Sequence, residues 1–445
     1  MKQRMRIGLD DTDSTRKGCT TYVAALLVEK LEKLGVKFLD YPNLIRLNPN
    51  VPWKTRGNGA LCLRIEYDEG LEDQIKEAAI SLVEEHADLS FKGTDPGIVF
   101  LKKAEIPEEI TAFAKNAITG IVTLKEAMKL IEKAEGEALG FNTCRGIIGA
   151  LAAVGETLEG DHTYELIAYR AAENCGSKRK VDEASIFKMD ELTQPYTFNN
   201  VDIEKSRIII TPRGPDPILF GIRGETPEIV KKAFEIVKPL EPVERWVIFR
   251  TNQGTDAHLK QVPALNQIKP YNSVIAGGVV SQNPRLIPLR HVIFSIKDES
   301  GEVDCAAYEP TGALRKAAEK LAVGDRVEVY GAVRKPSQGK PLTVNLEKIN
   351  ILALAPKVNY QNPLCPKCGK RLKSMGKNQG FRCEKCGSKF SGLAKVAVAV
   401  NRELKTELYV TSTRSQRHLT KPIRRYGLEK CCWKAKNLIE GWHSF

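Results

Sequence analysis

The chain has 445 residues, 42% hydrophobic and 28% charged, the make-up of a globular protein of three or four domains with substantial cores. Its basic start, Met1 to Arg6, is followed by an apolar run that Asp10 interrupts, and no stretch approaches the ~18 apolar residues of a spanning helix, so neither a signal peptide nor a membrane span is expected and a cytoplasmic location is. The formal net charge of +13 is concentrated: residues 361–445 hold 19 Lys and Arg against 5 Asp and Glu, so the rest of the chain is almost neutral and the basic end points to a polyanion partner, most simply nucleic acid.

The chain opens with Met5–Leu9, a short apolar strand that runs into three carboxylates within four residues, Asp10, Asp11 and Asp13. A loop with Arg16, Lys17 and Gly18 follows, and Thr20 and Thr21 then open a helix whose apolar positions (Tyr22, Val23, Leu26, Leu27, Leu31, Leu34) recur at helical spacing. Clustered Asp at a strand end suits Mg2+ bridging nucleotide phosphates. A helix N-terminus offers free N–H groups to phosphate, and Arg16 and Lys17 add charge. The alternative is a capped turn with Thr20 as a plain N-cap. Three Asp exceed what a turn needs, because like charges this close repel unless neutralised. No G-x-x-x-x-G-K-[ST] loop is present.

Residues 1–137 alternate strands (Met5–Leu9, Leu44–Leu47, Ala60–Tyr67, Gly97–Leu101) with helices (Thr21–Leu34, Leu71–Glu85, Pro107–Thr119, Leu124–Glu135), which predicts an α/β or α+β domain. Within it, Trp53-Lys54-Thr55-Arg56-Gly57-Asn58-Gly59-Ala60 is a basic glycine-bearing loop: Lys54, Arg56 and its N–H groups suit phosphate, and an ordinary Gly-Asn-Gly turn is the alternative.

Residues 138–262 read as a second α+β unit. Arg145 to Gly155 fits either a buried strand or a glycine-rich helix. Strands Tyr164–Tyr169, Arg207–Ile210, Ile218–Ile222 and Trp246–Arg250 surround the helix Pro227–Val237, and the Pro212–Pro217 turn predicts a hairpin between the second and third strands, half of a ferredoxin-like layer. Two polar loops close strands, one ending in Glu225 and one running from Thr251 through Asp256 to His258, the latter expected to be a surface histidine.

Residues 270–355 contain five strand candidates with one helix, Thr311–Leu321, between the third and fourth, the order of an OB-fold that holds single-stranded nucleic acid. Next, Cys365, Cys368, Cys383 and Cys386 form C-x2-C-x14-C-x2-C within a zinc ribbon spanning 360–392. Four thiolates leave no open position on a tetrahedral Zn2+, so the metal is structural. The remaining cysteines are scattered, which is not a disulfide framework. Residues 393–445 form a basic tail in which Tyr409, Tyr426, Trp433 and Trp442 interleave with Arg414, Arg417, Lys421, Arg424, Arg425, Lys430, Lys434 and Lys436, a pattern suited to RNA.

The Asp-Asp-Thr-Asp start, the Cys-Thr-Thr-Tyr helix entry, the Thr-Arg-Gly-Asn-Gly-Ala loop, the Phe220–Glu225 segment, the OB-like order and the cysteine knuckles together resemble the archaeal tRNA(Ile) 2-agmatinylcytidine synthetase family over nearly the whole chain. The resemblance implies a multidomain α+β chain: a kinase-like ATP-dependent domain over 1–137, a ferredoxin-like domain over 138–262, an OB-fold tRNA-binding domain over 270–355, a zinc ribbon and a basic C-terminal tail. It also implies the reaction. ATP activates C2 of the wobble cytidine in the CAU anticodon of tRNA(Ile) by phosphorylation, and agmatine displaces the activated oxygen, so that the tRNA reads AUA. On this resemblance Asp10, Asp11 and Asp13 bind Mg2+ or ATP, Thr20 is a phosphorylated threonine, and Arg56, Gly57 and Asn58 belong to the active-site loop with Lys54. Arg16, Lys17, Gly18 and Thr21 hold phosphate, and Glu225 or Asp256 receives agmatine. The stretch Asn142–Gly146 is less basic than the family pattern, so no phosphate role is assigned to it. A non-enzymatic nucleic-acid binder would leave the first 260 residues unexplained. An adenylating, lysidine-forming type of enzyme would open with a Ser-Gly-Gly-x-Asp-Ser loop, which is absent.

Overall fold

The structure is a computed structural model that describes residues 2–445 apart from Ala104, Gln338, Lys340 and 432–437. Trp433, Lys434 and Lys436 of the expected tail lie outside the described residues.

The first half is a sheet with helices on both faces. Its elements are β1 (Lys2–Asp10), α1 (Thr20–Lys33), β2 (Lys37–Phe38), β3 (Asn43–Arg46), β4 (Gly59–Asp68), α2 (Glu72–His86), β5 (Gly97–Leu101), α3 (Glu108–Thr119), α4 (Leu124–Lys133), β6 (Glu137–Gly140) and α5 (Gly146–Gly155). Side chains alternate across a strand, so β4 sends Leu61, Leu63 and Ile65 to the core under α1 and α2, and Ala60 and Cys62 to the core under α3, α4 and α5. The open choice for Arg145–Gly155 resolves as helix α5, which packs on β1, β4 and β5. It lies unusually close to the strands. A Cβ at Gly8 would stand 2.3 Å from the Ala150 carbonyl oxygen, and one at Gly97 2.0 Å from the Ile147 nitrogen.

The second half continues the same sheet with β7 (Thr163–Arg170), α6 (Glu183–Thr193), β8 (Thr197–Phe198), β9 (Val201–Asp202), β10 (Arg207–Ile208), β11 (Ile218–Gly224), α7 (Pro227–Ile236) and β12 (Val243–Thr251). The strand order is β6-β5-β1-β4-β3-β12-β7-β11-β8, and the halves join through the parallel pair β3–β12. The hairpin expected across Pro212–Pro217 does not form. Arg207–Ile208 pairs with β9, whereas β11 pairs with β7 and β8. The turn is instead pinned by Arg179, which donates to the carbonyls of Pro212, Gly214, Asp216 and Ile218.

A barrel follows: β13 (Leu259–Gln261), β14 (Ser273–Ile287), β15 (His291–Lys297), β16 (Glu302–Ala307), α8 (Ala313–Glu319), β17 (Arg326–Arg334) and β18 (Thr343–Ala353). The path β14-β15-β16-β18-β17 closes by pairing β14 with β17, and α8 falls between the third and fourth barrel strands, as an OB-fold requires. A two-stranded stalk, β19 (Val358–Gln361) with β23 (Val396–Ala399), carries the three short strands β20 (Lys373–Ser374), β21 (Phe381–Arg382) and β22 (Lys389–Phe390).

The last segment corrects the expectation of a separate basic tail. β24 (Leu408–Val410) joins the barrel through β18, and β25 (His443–Ser444) joins the large sheet through β12. Trp442, expected to interleave with RNA-facing cations, is 7% exposed and packs edge-on to Phe38 and Tyr41. Tyr409 packs against the barrel core. Arg414 pairs with Asp202 and Glu204, Arg424 with Asp190, and the fully buried Arg425 with Asp161 and Glu225. The segment's charge is largely spent within the molecule. His258, expected at the surface, is wholly buried at the same junction, its Nε2 3.0 Å from Glu347 of β18.

The close contact of α5 with the sheet is testable. Gly97→Ala should destabilise the protein by about 2–4 kcal/mol in denaturant melts, because the new methyl meets backbone that cannot give way. Gly70→Ala, where nothing lies within 4 Å, should stay within about 0.5 kcal/mol of the parent. Equal melts for the two variants would contradict the packing described.

Candidate active site

The end of β1 is where the glycine-mediated contact has its chemical consequence. A Cβ at Gly149 would stand 1.8 Å from Asp10 Oδ2, so α5 presses directly on that carboxylate. Asp11 follows in the left-handed region, φ 61°, a conformation that short polar side chains tolerate better than most. It turns its oxygens to the Asp95 N–H (3.0 Å) and the Thr55 hydroxyl (3.2 Å). Burial, reinforced by the Asp11 charge, pushes the Asp10 carboxyl well above the usual range. Burial also pushes Asp11 up to about 7, against the Asp95 N–H bond, with the Asp13 charge adding to the rise. Two crowded carboxylates that resist ionisation attract a cation.

The opposite side is basic. Arg56 donates through Nε to Asp13 (2.6 Å) and through Nη1 to Asp216 (3.0 Å), and Nη2 reaches the Gly18 carbonyl. Gly57 and Gly59 leave room for Arg46, whose Nη1 would be 2.6 Å from a Cβ at Gly57. Burial lowers the Arg46 guanidinium to about 10. Lys54 donates to the Arg56 carbonyl (2.9 Å), and Asn58, with φ 47°, donates to the Asn48 carbonyl (2.7 Å), closing the loop. α1 begins at the same place. Cys19 is its N-cap and gives no side-chain cap, so the first N–H groups of the helix have no side chain of the N-cap covering them. Thr20 is not the cap that a plain turn would need. Its hydroxyl oxygen instead accepts from the Thr12 hydroxyl at 3.1 Å. Burial pushes the Cys19 thiol up to about 11, which leaves it protonated.

These groups line one cavity of about 340 Å³. Of the residues singled out in the sequence, Asp10, Asp11, Asp13, Thr20, Thr21, Lys54, Arg56, Gly57 and Asn58 line it. Arg16 does not. It grips Asp88 with two hydrogen bonds (2.6 and 2.8 Å), with Lys17 3.8 Å from the same carboxylate, and the pair holds the loop over α2's end. Gly18 shapes that loop, since a Cβ there would meet the Thr12 carbonyl at 2.8 Å with φ at +81°. Glu225 and Asp256 stand outside the cavity and are taken up by the protein's own cations: Glu225 by Arg425 and Lys430 (2.8 Å), Asp256 by the buried Lys348. That occupancy corrects the expectation that either receives a ligand guanidinium.

Sequence reasoning missed Asp216, Arg145, Trp53 and His418 as lining residues. Asp216 was legible only as part of a turn. Arg145, in the stretch given no phosphate role, bonds Asp95 at 2.9 Å and stands at the start of α5 beside the cavity. His418 arrives from the C-terminal segment, where no local signal marks it.

A second centre is separate. The sulfurs of Cys365, Cys368, Cys383 and Cys386 lie within 4.8 Å of one another, a donor set that fits one tetrahedral Zn2+. Around it Lys367, Lys370, Arg371, Lys377, Arg382, Lys385 and Lys389 are all exposed, so the basic surface lies here rather than on the C-terminal segment.

Comparison with known proteins gives matches along most of the chain. Models of the TiaS TCKD domain, the TiaS FLD domain and the TiaS C-terminal zinc ribbon domain match residues 6–143, 144–258 and 362–404, and an OB-fold nucleic acid binding domain matches 275–352. The tRNA(Ile) 2-agmatinylcytidine synthetase TiaS of Methanocaldococcus jannaschii is 45% identical over 94% of this chain and 98% of its own. That of Archaeoglobus fulgidus is 44% identical over 96% and 98%. A crystal structure of TiaS in complex with tRNA(Ile) and ATP superposes with a TM-score of 0.86 at 41% identity, covering 98% of this chain and 99% of that one. A complex of TiaS with the same tRNA, AMPCPP and agmatine gives 0.83 at 40%, covering 95% and 97%.

Two outcomes follow from the geometry. Between the ordinary carboxylate range and its raised native value, Asp10 binds a proton in the folded protein that the unfolded chain has released, so stability falls as pH rises through that window. Asp10→Asn removes the penalty. In metal-free buffer it should melt higher than the parent at pH 8, by roughly 1–2 kcal/mol, and close to it at pH 5. A lower melting point at pH 8 would contradict the electrostatics. Cys383→Ser should lose the zinc, read by metal analysis, and expose residues 362–404 to protease, because metal binding is the ribbon's folding energy.

Proposed function

Because this chain belongs to the TiaS family of tRNA(Ile) 2-agmatinylcytidine synthetases, we propose that it joins agmatine to C2 of the wobble cytidine in the CAU anticodon of tRNA(Ile) at the expense of ATP. The product, 2-agmatinylcytidine, lets the tRNA decode AUA. A cytoplasmic location goes with this reading. Among the described residues no helix is long and apolar enough to cross a membrane.

The observation that carries this reading is the meeting of Asp10, Asp11 and Asp13 with the uncapped start of α1 and the Arg56 loop in one cavity. A ring carbonyl oxygen is a poor leaving group, and phosphorylation converts it into a good one. Such a transfer needs positioned phosphates and neutralised charge more than covalent chemistry from the protein. Asp10, Asp11 and Asp13 are the ligands we assign to Mg2+, which supplies charge neutralisation on the transferring phosphoryl group. The α1 N–H groups at Thr20 and Thr21, together with Lys54, Arg56, Gly57 and Asn58, hold the phosphates. Arg16, Lys17 and Gly18 hold the loop that delivers Asp13 and Thr20. Thr20 lines the cavity at the helix start, where a phosphoryl acceptor would stand, and its hydroxyl is aligned by Thr12. The barrel of 270–355 and the exposed cations of the ribbon hold the tRNA body.

Mass analysis of the wobble nucleoside, after incubating the protein with ATP, agmatine and the CAU-anticodon tRNA, tests the reading. Agmatidine should appear only when all are present. Asp11→Ala should lower its formation by about 100-fold or more while tRNA affinity stays within about two-fold. Thr20→Ala should slow turnover and abolish any phosphate label on the protein. Parental agmatidine formation by folded Asp11→Ala would overturn the assignment of the cavity.

A further inference from the structure

Among the described residues Trp53 is the one exposed tryptophan, at 48%. Trp442 is in the core and Trp246 packs on Phe234. Trp53 lies in the basic loop and lines the cavity that holds the carboxylates. Ile121, also lining it, is 43% exposed. Large apolar side chains left in water beside a polar cavity, rimmed by cations, mark a surface that a ligand covers.

The surroundings narrow the ligand. The Arg145 guanidinium sits over one face of the indole, 5.7 Å from the ring centroid, and is itself anchored to Asp95. The residue is still half exposed, so the cation does not cover it. Lys54 is the next residue, and Arg417 reaches the same loop region through Asn50. An aromatic face flanked by cations is the arrangement that binds unstacked bases of single-stranded nucleic acid, with the ring taking the base and the cations its phosphates. The adenine of a free nucleotide would be better served by the enclosed apolar wall of the cavity, where Leu47 and Ala117 are each 5% exposed. A base delivered on an RNA loop brings its own backbone to cover the exposed side. Chemistry at a ring carbon also requires the base to leave its stack, and an aromatic face offsets the stacking lost.

We propose that Trp53 is the platform on which the RNA's extruded target base stacks as its ring enters the carboxylate-lined cavity. The proposal rests on the tRNA-modifying function above and adds the residue that captures the base.

Intrinsic fluorescence tests it on the full-length protein. CAU-anticodon tRNA should quench the parent more than Trp53→Phe, and the difference between the two should vanish with the same RNA made abasic at the wobble position. Mg2+-ATP alone should give no such difference. In steady-state assays Trp53→Ala should lower kcat/KM for the tRNA by about ten- to a hundred-fold, with KM for ATP within about two-fold, and Trp53→Phe should restore most of the loss. Quenching of Trp53 by ATP alone, or a raised KM for ATP, would make this face the adenine seat and overturn the proposal. Unchanged kcat/KM for the tRNA in Trp53→Ala would overturn it as well. Failure of the parent protein to form agmatidine would instead refute the function, and the two failures are distinguishable.

Discussion

Everything at the candidate site follows from forcing like charges together at the end of one strand. Burial together with a neighbouring like charge disfavours ionisation of a carboxyl, as at Asp10 and Asp11. Asp10 and Asp11 are placed so by backbone, because α5 lies flat on β1 and β5 over glycines that offer no side chain to hold it off. The protein offsets only part of the repulsion. The Asp95 N–H and the Thr55 hydroxyl bond Asp11, and Arg56 neutralises Asp13 and Asp216, whereas Asp10 has the Asp11 backbone N–H and stays pressed on Gly149. Carboxylates held this way beside an uncapped helix start are preorganised for a metal–phosphate complex that completes the site.

Charge placement elsewhere obeys the same accounting. The C-terminal segment is rich in Arg and Lys, yet its side chains satisfy acids on three different parts of the molecule. Arg425 joins Asp161 and Glu225, Arg417 comes within 3.4 Å of Glu347 on the barrel, and Arg424 bonds Asp190 of α6. Burial would raise the Glu347 carboxyl, but His258, Arg417 and Thr420 outweigh it and hold it near 2. Such buried pairs are weak sources of stability, since desolvation consumes most of the attraction. Their evident work is geometric: they fix the barrel against the catalytic half, and they let His418 of the same segment enter the cavity wall. The ribbon, on its two-stranded stalk, is left as the exposed basic surface.

Much of this was legible where short-range chemistry dominates. The β1–α1 run, the five barrel strands and the cysteine knuckles carry periodicities or spacings that admit few structures, and the carboxylate cluster and the Lys54–Asn58 loop were readable because unusual residue types crowd into a few positions. What was not legible depends on distant partners. α6 buries Ser185, Asp190 and Thr193 along with Ile186 and Met189, so its apolar period is blurred. The Pro212–Pro217 turn resembles a hairpin until Arg179, far earlier in the chain, pins it. Basic composition after residue 393 reads as a polyanion surface unless one knows that Asp161, Asp190, Asp202 and Glu225 await those cations. Arg145 and His418 reach the cavity only through folding, and a single cation or imidazole in sequence gives no sign of it.

The central claim is that the carboxylates at the end of β1 hold the metal that serves ATP. Anomalous diffraction from crystals grown with Mn2+ and a non-hydrolysable ATP analogue tests it directly. The account requires a manganese peak within coordination distance of an Asp10 or Asp11 oxygen and of a phosphate oxygen, with the phosphates facing the start of α1. Nucleotide bound with its metal away from both carboxylates would contradict it.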